Sequence, residues 1–326
     1  MRGCFKSVCF LTVGGMVLSL LCVCGFADSA NDMHAKIDNR TIFIQSQDRV
    51  LVGYRYYDVP FKPYVAKLFT PDSRNILLDS PPDHVHHHGL MFAVSVDGTD
   101  FWEEQIAPGR QRHVEISSVK VDSSNGMETV CFGQSLEWMN PANGQLLLNE
   151  QRTLELAQFE GSNATVLTWR SIFSLPHDKQ SVTFSGNHYF GLGMRFVRSM
   201  DERGTFFNAD NKAGKVYRGD ERLVRSKWCA YTADIQGKPV TVAMLDHPEN
   251  TRYPATWFTM AEPFAYLSAT MALHEEPLTV KAGQPLSLCY GVVVWDGMKK
   301  PTQVEQMYQR WLNMAVESIK NTQRHK

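Results

Sequence analysis

The sequence predicts an all-β fold, an antiparallel β-sandwich closed by one C-terminal α-helix. Three observations carry this. The dominant rhythm is period two, with apolar residues alternating with polar ones, which puts every second side chain on the same face of a sheet. Asn-Gly pairs at 125–126 and 143–144 punctuate that rhythm, and such pairs are strong hairpin signals. No strand-like segment alternates with a long amphipathic helix, which disfavours a parallel α/β sheet.

The elements follow in order. Arg2 and Lys6 precede a mostly apolar run from 8 to 23, and Gly25-Phe26-Ala27 supplies small residues at −3 and −1. Residues 1–27 therefore read as a secretory signal peptide cut before Asp28, which makes the protein periplasmic or secreted. Val23 is bulky where lipid attachment at Cys24 needs a small residue, so a lipoprotein is the lesser reading. No later segment approaches the roughly 20 apolar residues of a membrane span.

Val114-Glu115-Ile116 and Val119-Lys120-Val121 alternate, and residues 129–138 alternate again after the first Asn-Gly. Leu154-Glu155-Leu156 follows the second, then 164–173 with Val166, Leu167, Trp169 and Ile172. Strands are also expected at 240–245 and 286–290. Residues 201–227 are polar, with glycines at 204, 214 and 219, and read as a long excursion between strands. After Pro301, Thr302 and Glu305 fit a capping box. Val304, Met307, Tyr308, Trp311, Leu312, Ala315 and Ile319 then recur at helical spacing, which predicts a helix over about 302–320 packed on the outside of the sheets. No repeat, low-complexity tract or linker interrupts residues 28–326, so one domain is expected.

The formal charge of −1 becomes −3 once Arg2 and Lys6 leave with the signal. Nothing in it favours nucleic acid, which calls for a basic excess. Of seven cysteines, Cys131, Cys229 and Cys289 remain after residue 27. Each sits among apolar residues and reads as a buried thiol. A dinucleotide-binding Gly-x-Gly-x-x-Gly, a P-loop, a Gly-x-Ser-x-Gly elbow and a Cys-x-x-Cys are all absent beyond residue 27, which disfavours nucleotide-dependent and serine-hydrolase mechanisms.

The densest chemistry lies in Asp83-His84-Val85-His86-His87-His88-Gly89-Leu90, which holds four of the eleven histidines. Imidazole exchanges protons near neutral pH or ligates metals. If the segment is extended, His84, His86 and His88 share one face and His87 points the other way. Such a face could hold a divalent ion, with His84 and His86 as ligands. The competing reading is general acid or base catalysis by one or two of the rings.

Three further stretches are candidates. Asp100-Phe101-Trp102-Glu103-Glu104 sets aromatic rings beside carboxylates, which suits a sugar, with Trp102 as a stacking surface and Glu103 as an acid. The segment 186–195 brings His188 and Arg195 between glycines that permit close approach. Residues 246–254, with Trp257 beyond, form a proline-pinned loop carrying His247, Asn250, Arg252 and Tyr253. It reads as a recognition loop, with Arg252 suited to a carboxylate or hydroxyl pair.

Residues 83–90, Gly98 through Phe101-Trp102, 246–254 and Trp257-Phe258, together with Pro63-Tyr64-Val65, Leu68-Phe69-Thr70-Pro71 and the segment 283–297, resemble the family of unknown function DUF6807, often labelled "methane oxygenase PmoA-like". The resemblance covers nearly all of residues 28–326. The family pattern tends to have proline at position 85 and arginine at position 88, where this chain has Val85 and His88. His84, His86 and His87 therefore carry the resemblance. The oxygenase half of the label implies several spanning helices, which this sequence does not offer. What the resemblance does imply is an exported protein similar to enzymes of carbohydrate use, with the last strands laid out as in galactose-mutarotase-like supersandwiches.

The expected function is an enzyme of epimerase, lyase or hydrolase type acting on a sugar or glycoside. His84, His86, His87, His188, His247 and Glu103 would be catalytic. Trp102, Arg195, Asn250, Arg252, Tyr253 and Trp257 would bind substrate. Two alternatives remain open. One is a non-catalytic carbohydrate-binding scaffold whose groove is lined by Trp102, Trp228 and Trp257. The other is a metal-dependent enzyme centred on the 84–88 cluster.

Overall fold

Period-two alternation builds the longest strands of the fold. The computed structural model describes residues 33–324 except residue 125, with side chains as far as residue 315. The expected signal peptide, Asn125 and the side chain of Ile319 lie outside them. Met127–Asn140 and Gln145–Phe159 form a hairpin whose turn carries Gly144 at φ 70°, a left-handed conformation that glycine adopts without strain. Val130, Phe132, Leu136 and Trp138 point inward from the first strand while their neighbours face out.

This hairpin belongs to a nine-stranded antiparallel sheet. Its path runs Thr205–Asn208, Trp228–Ile235, Lys238–Asp246, Leu286–Asp296, Ala164–Ser174, Gln145–Phe159, Met127–Asn140 and Arg110–Ile116, with Lys120–Ser124 pairing beside Met127–Asn140. A ten-stranded antiparallel sheet packs against it. Its central order is Tyr64–Leu68, Leu90–Ala93, Gly191–Arg195, Tyr266–Thr270, Thr256–Met260 and Glu221–Arg225. A four-stranded sheet pairs Leu278–Lys281, Ser181–Ser185, Ser95–Val96 and Thr99–Asp100. The two large sheets interdigitate through aromatic rings. Tyr54 meets Phe132 at 5.5 Å and Trp169 at 6.4 Å, and Phe92 meets Phe173 at 5.4 Å. The all-β antiparallel expectation holds, and the sheets do not close into a barrel.

The helix Pro301–Arg324 covers the outer face of the nine-stranded sheet. Val304, Met307, Tyr308, Trp311 and Ala315 bury against Ala243, Leu245, Trp228 and Val293. Gly291 makes the approach possible, since a Cβ there would lie 2.8 Å from Trp311 Cε2. The cap differs from the one expected. The Lys300 N–H donates to Gln303 Oε1 at 2.9 Å, so the side chain reaching back comes from Gln303, not Glu305. Glu305 instead accepts from Lys227 Nζ and Trp228 Nε1, both at 2.7 Å, and ties the helix to the sheet. Among the described residues no helix is long and apolar enough to cross a membrane.

The 201–227 excursion is not a structureless loop. It contains Thr205–Asn208, Lys215–Arg218 and Glu221–Arg225, and it passes from one large sheet to the other. Lys215–Arg218 is exposed throughout, so no apolar alternation betrays it in sequence. Cys131, Cys229 and Cys289 are free thiols; Cys229 and Cys289 are buried as expected, Cys131 on its half-covered strand is only partly so, and desolvation pushes Cys131 and Cys289 up to about 12.

Between the sheets lies a buried polar network. Arg152 donates through Nε and Nη2 to both oxygens of Glu150, through Nη1 to Tyr54 Oη at 3.0 Å and the Pro63 carbonyl at 3.1 Å, and through Nη2 to Gln111 Oε1 at 3.0 Å. Its guanidinium stacks on Trp169 at 4.5 Å. Glu150 also accepts from Trp138 Nε1 and Ser171 Oγ. Every strong group in this network has partners, which makes buried charge tolerable.

Asp246, also buried, accepts the Ala255 N–H at 2.6 Å and the Asn250 amide at 2.7 Å. Burial nevertheless pushes its carboxyl up to about 7. A value raised above that of the unfolded chain means the folded state holds the proton more tightly. That contribution is complete below about pH 4 and is lost as pH rises through about 7. The loss is expected to amount to about 2–4 kcal/mol. Urea unfolding at about pH 5 and about pH 8 checks it: the stability difference between wild type and Asp246→Asn should fall as pH rises, and a constant difference would refute it.

Candidate functional site

The histidine segment is folded by two successive turns, not extended. The His84 N–H donates to the Pro81 carbonyl and the His87 N–H to the His84 carbonyl, both at 3.0 Å. Ser80 clasps the segment, with its N–H on the His87 carbonyl and its Oγ on the Val85 carbonyl. Gly89 then sits at φ 45°, where a Cβ would lie 2.2 Å from the Val65 carbonyl oxygen. Only glycine passes the chain so close to its neighbour and into the strand Leu90–Ala93.

The turns gather His84, His86 and His87 and turn His88 away, the reverse of the grouping expected from alternation. The His84 and His87 rings stack at 4.6 Å, and His86 meets His87 edge-on at 4.7 Å. His88 stacks on Tyr64 and bonds Asp79 and Glu104. Burial lowers its pKa, but those two carboxylates outweigh burial and raise it. Glu104 also pairs with the buried Lys62, whose Nζ bonds the Trp102 carbonyl at 3.2 Å. His88 and its partners thus hold the Trp102 segment in place. Asp100 adds to this by accepting the N–H groups of Trp102 and Glu103.

His84, His86 and His87 border a cavity of about 500 Å3 together with Trp102, Glu103, Tyr189, Phe258, Tyr266, Phe264 and the Arg218-to-Glu221 turn. Strand pairing explains the wall. Phe258 and Tyr266 lie on the face of their strands opposite to Trp257, Leu267 and Ala269. Leu192 stands beside Phe92 and Ala269, and Phe92 packs on Trp138 of the other sheet. The cavity therefore opens on the outer face of the ten-stranded sheet. Gly193 makes room for the Tyr266 ring, since a Cβ there would lie 2.4 Å from Tyr266 Oη.

The electrostatics separate the three imidazoles. Burial lowers His87 to about 2 and His86 to about 4, with neighbouring cations adding to the effect. Both are neutral near pH 7. His84 Nδ1 lies 3.0 Å from Asp83 Oδ2. The carboxylate can only accept, so Nδ1 carries the proton and Nε2 the lone pair when His84 is neutral. That hydrogen bond holds Asp83 below the usual carboxylate range. Arg195 and Arg198 each approach Asp83 at 3.5 Å. Glu103 Oε2 lies 3.5 Å from His86 Nδ1, and burial raises its carboxyl. His87 Nδ1, Trp102 Nε1 and Tyr266 Oη are buried without a protein partner, and all three side chains line the cavity.

The remaining expected residues divide. His188 stands behind the wall. Its Nε2 is 3.0 Å from Glu221 Oε2, its ring stacks on Tyr217 at 3.8 Å, and it reaches the cavity through Glu221. Arg195 is also behind it, 3.7 Å over the Phe264 ring. The 246–254 loop does not join the cavity. His247 lies edge-on to Trp311 of the helix at 5.8 Å. Asn250 bonds the backbone of Cys289 in both directions at 2.7 Å. Arg252 ties down the carbonyls of Met271, Glu276 and Pro277, and Tyr253 meets Tyr308 at 3.3 Å. Trp257 points into the core with its Nε1 on the Ser226 carbonyl, and Trp228 lies under the helix. A loop that anchors a helix needs the same polar residues as one that binds a ligand, which is why sequence misplaced it. No third ligand joins His84 and His86: among the described residues no three His, Cys, Asp or Glu side chains are grouped to hold a metal ion.

Several wall residues were not singled out in the sequence. Phe258 and Tyr266 look like ordinary strand residues there, Phe264 sits in the turn between their strands, and Arg218 and Glu221 fall within the supposed excursion.

Fold and cavity together define an antiparallel β-sandwich protein with a histidine-lined cavity on one outer sheet face. The chain belongs to the family of unknown function DUF6807, whose model matches residues 41–309. No curated protein matches the sequence. Among solved structures it is similar to the GH36 α-galactosidase AgaB from Geobacillus stearothermophilus, at 12% identity and a TM-score of 0.46, covering 81% of this chain and 41% of that one. It is also similar to a protein provisionally named an aldose 1-epimerase from Klebsiella pneumoniae, at 11% identity and a TM-score of 0.43, covering 83% and 82%. An α-galactosidase from Lactobacillus brevis follows at 10% identity and 0.38, covering 82% and 40%. The chain spans about two fifths of the α-galactosidases it matches.

Proposed function

We propose that the cavity binds a carbohydrate and that His84 and Glu103 perform acid–base chemistry on it, in an exported protein. One observation carries this reading. Aromatic walls and buried polar atoms without protein partners meet in one cavity, beside three clustered imidazoles. A sugar offers both things such a site needs: C–H faces for the rings and hydroxyls for the stranded donors and acceptors. The solved structures named above share the architecture, and the carbohydrate reading stands on the cavity itself.

The groups suit different tasks. His84, with Nδ1–H fixed on Asp83, presents the Nε2 lone pair of a general base. Glu103, raised by burial, can hold a proton and return it as the acid. His87 stays neutral and contributes hydrogen bonds only. Epimerisation, elimination and hydrolysis all use such a base and acid. A binding-only role is the second reading, favoured by the fact that burial takes His86 and His87 out of the physiological titration range.

A sugar library screened by calorimetry and by product analysis tests the proposal. At least one sugar or glycoside should bind, and His87→Ala should weaken it by about tenfold. Binding with no turnover of any bound compound would support the binding-only reading. No binding by any member would overturn both.

A further inference from the structure

The charge around the cavity narrows the ligand further. Besides Glu103, which the proposed chemistry uses as the acid, Asp220, Glu221 and Glu262 line it, against a single lining arginine, Arg218. Arg218 is already committed, since its Nη2 donates to Glu221 Oε1 at 2.6 Å, and Glu221 also pairs with His188. Asp220 accepts the N–H groups of Ala261 and Glu262, which satisfies its oxygen without cancelling its charge.

The cations behind the wall are matched by carboxylates of their own. Lys62 pairs with Glu104, and Arg195 and Arg198 pair with Asp83, with Asp201 also at 3.7 Å from Arg195. The lining residues thus carry an excess of negative charge around a wall of five aromatic rings. Such a surface attracts a cation through Coulomb and ring-quadrupole terms and repels a carboxylate. The excess is not a bare acidic cluster, because the buried atoms His87 Nδ1, Trp102 Nε1 and Tyr266 Oη mark the same space as a ligand site.

We propose that the ligand is an amino sugar, its ammonium group met by the rim carboxylates Asp220 and Glu262 and its C–H face laid on the aromatic wall. This rests on the carbohydrate reading above and specifies its chemical class. Sugar acids are excluded by the same charge, and neutral sugars bind with intermediate strength.

Calorimetry on the intact protein with glucosamine, glucose and glucuronate, and with the three corresponding galactose-series sugars, tests this at low and high ionic strength. In one series the amino sugar should bind about tenfold tighter than the acid, with the gap narrowing as salt screens it. Glu262→Gln, a change at the exposed rim, should lower the preference for the amino over the neutral sugar about two- to fivefold. Equal or tighter binding of the neutral sugar or the acid would overturn the amino-sugar assignment and leave the carbohydrate reading standing. An amino-sugar preference indifferent to both salt and Glu262→Gln would also overturn it. Failure of all six to bind, along with the wider library, would remove both.

Discussion

Arg152→Leu is expected to destabilise the protein by about 3–5 kcal/mol, the cost of stranding a buried carboxylate. Glu150 is fully buried, and two of the hydrogen bonds it accepts come from Arg152. Removing the guanidinium leaves that charge with only the Trp138 and Ser171 donors. It also strips partners from Gln111 of the same sheet and from Tyr54 and the Pro63 carbonyl across the interface. Urea midpoints at matched slope measure the loss. The double variant Glu150→Met/Arg152→Leu should recover part of it, because replacing a whole buried pair costs less than breaking one. A single variant within about 1 kcal/mol of wild type would show that the network is not what holds the layers in register.

The second large effect concerns chemistry. Once a turned-over substrate is in hand, His84→Ala should lower kcat by about 100- to 10,000-fold, the range of a lost general base. Stability should barely change, because the His84 ring is over a third exposed. Asp83→Asn should give a smaller loss, since the carboxylate only fixes the tautomer and orients the ring. Single-turnover rates separate the two variants. Full activity in His84→Ala would reassign the base. A uniform loss of binding without a rate effect would make the cluster a recognition surface.

How much of this could be read from the amino-acid order depends on where each element sits. Met127–Asn140 is legible because it is long and one of its faces is only partly covered, so polar and apolar residues alternate. Leu90–Ala93, Gly191–Arg195 and Tyr266–Thr270 are short and buried on both faces, which erases the period-two signal. Of these, Tyr266–Thr270 gives Tyr266 to the cavity wall, so that part of the wall was hidden with it. The 84–87 imidazoles stood out because packing alone seldom clusters them. Their grouping did not, because two turns set it: Pro82 marks the first, but the second, over 84–87, holds no glycine, proline, asparagine or aspartate. His247 and Arg252 were misassigned for a different reason. Their partners are backbone carbonyls and a helix more than 50 residues away in the chain or across a loop, and nothing local records them.

The placement of Pro301–Arg324 has a practical consequence. The helix lies over one outer layer and the cavity opens on the other. A sensor chip or resin that grips the chain through its carboxyl end should leave the mouth facing free solution, so surface-captured protein and protein in solution should give the same affinities.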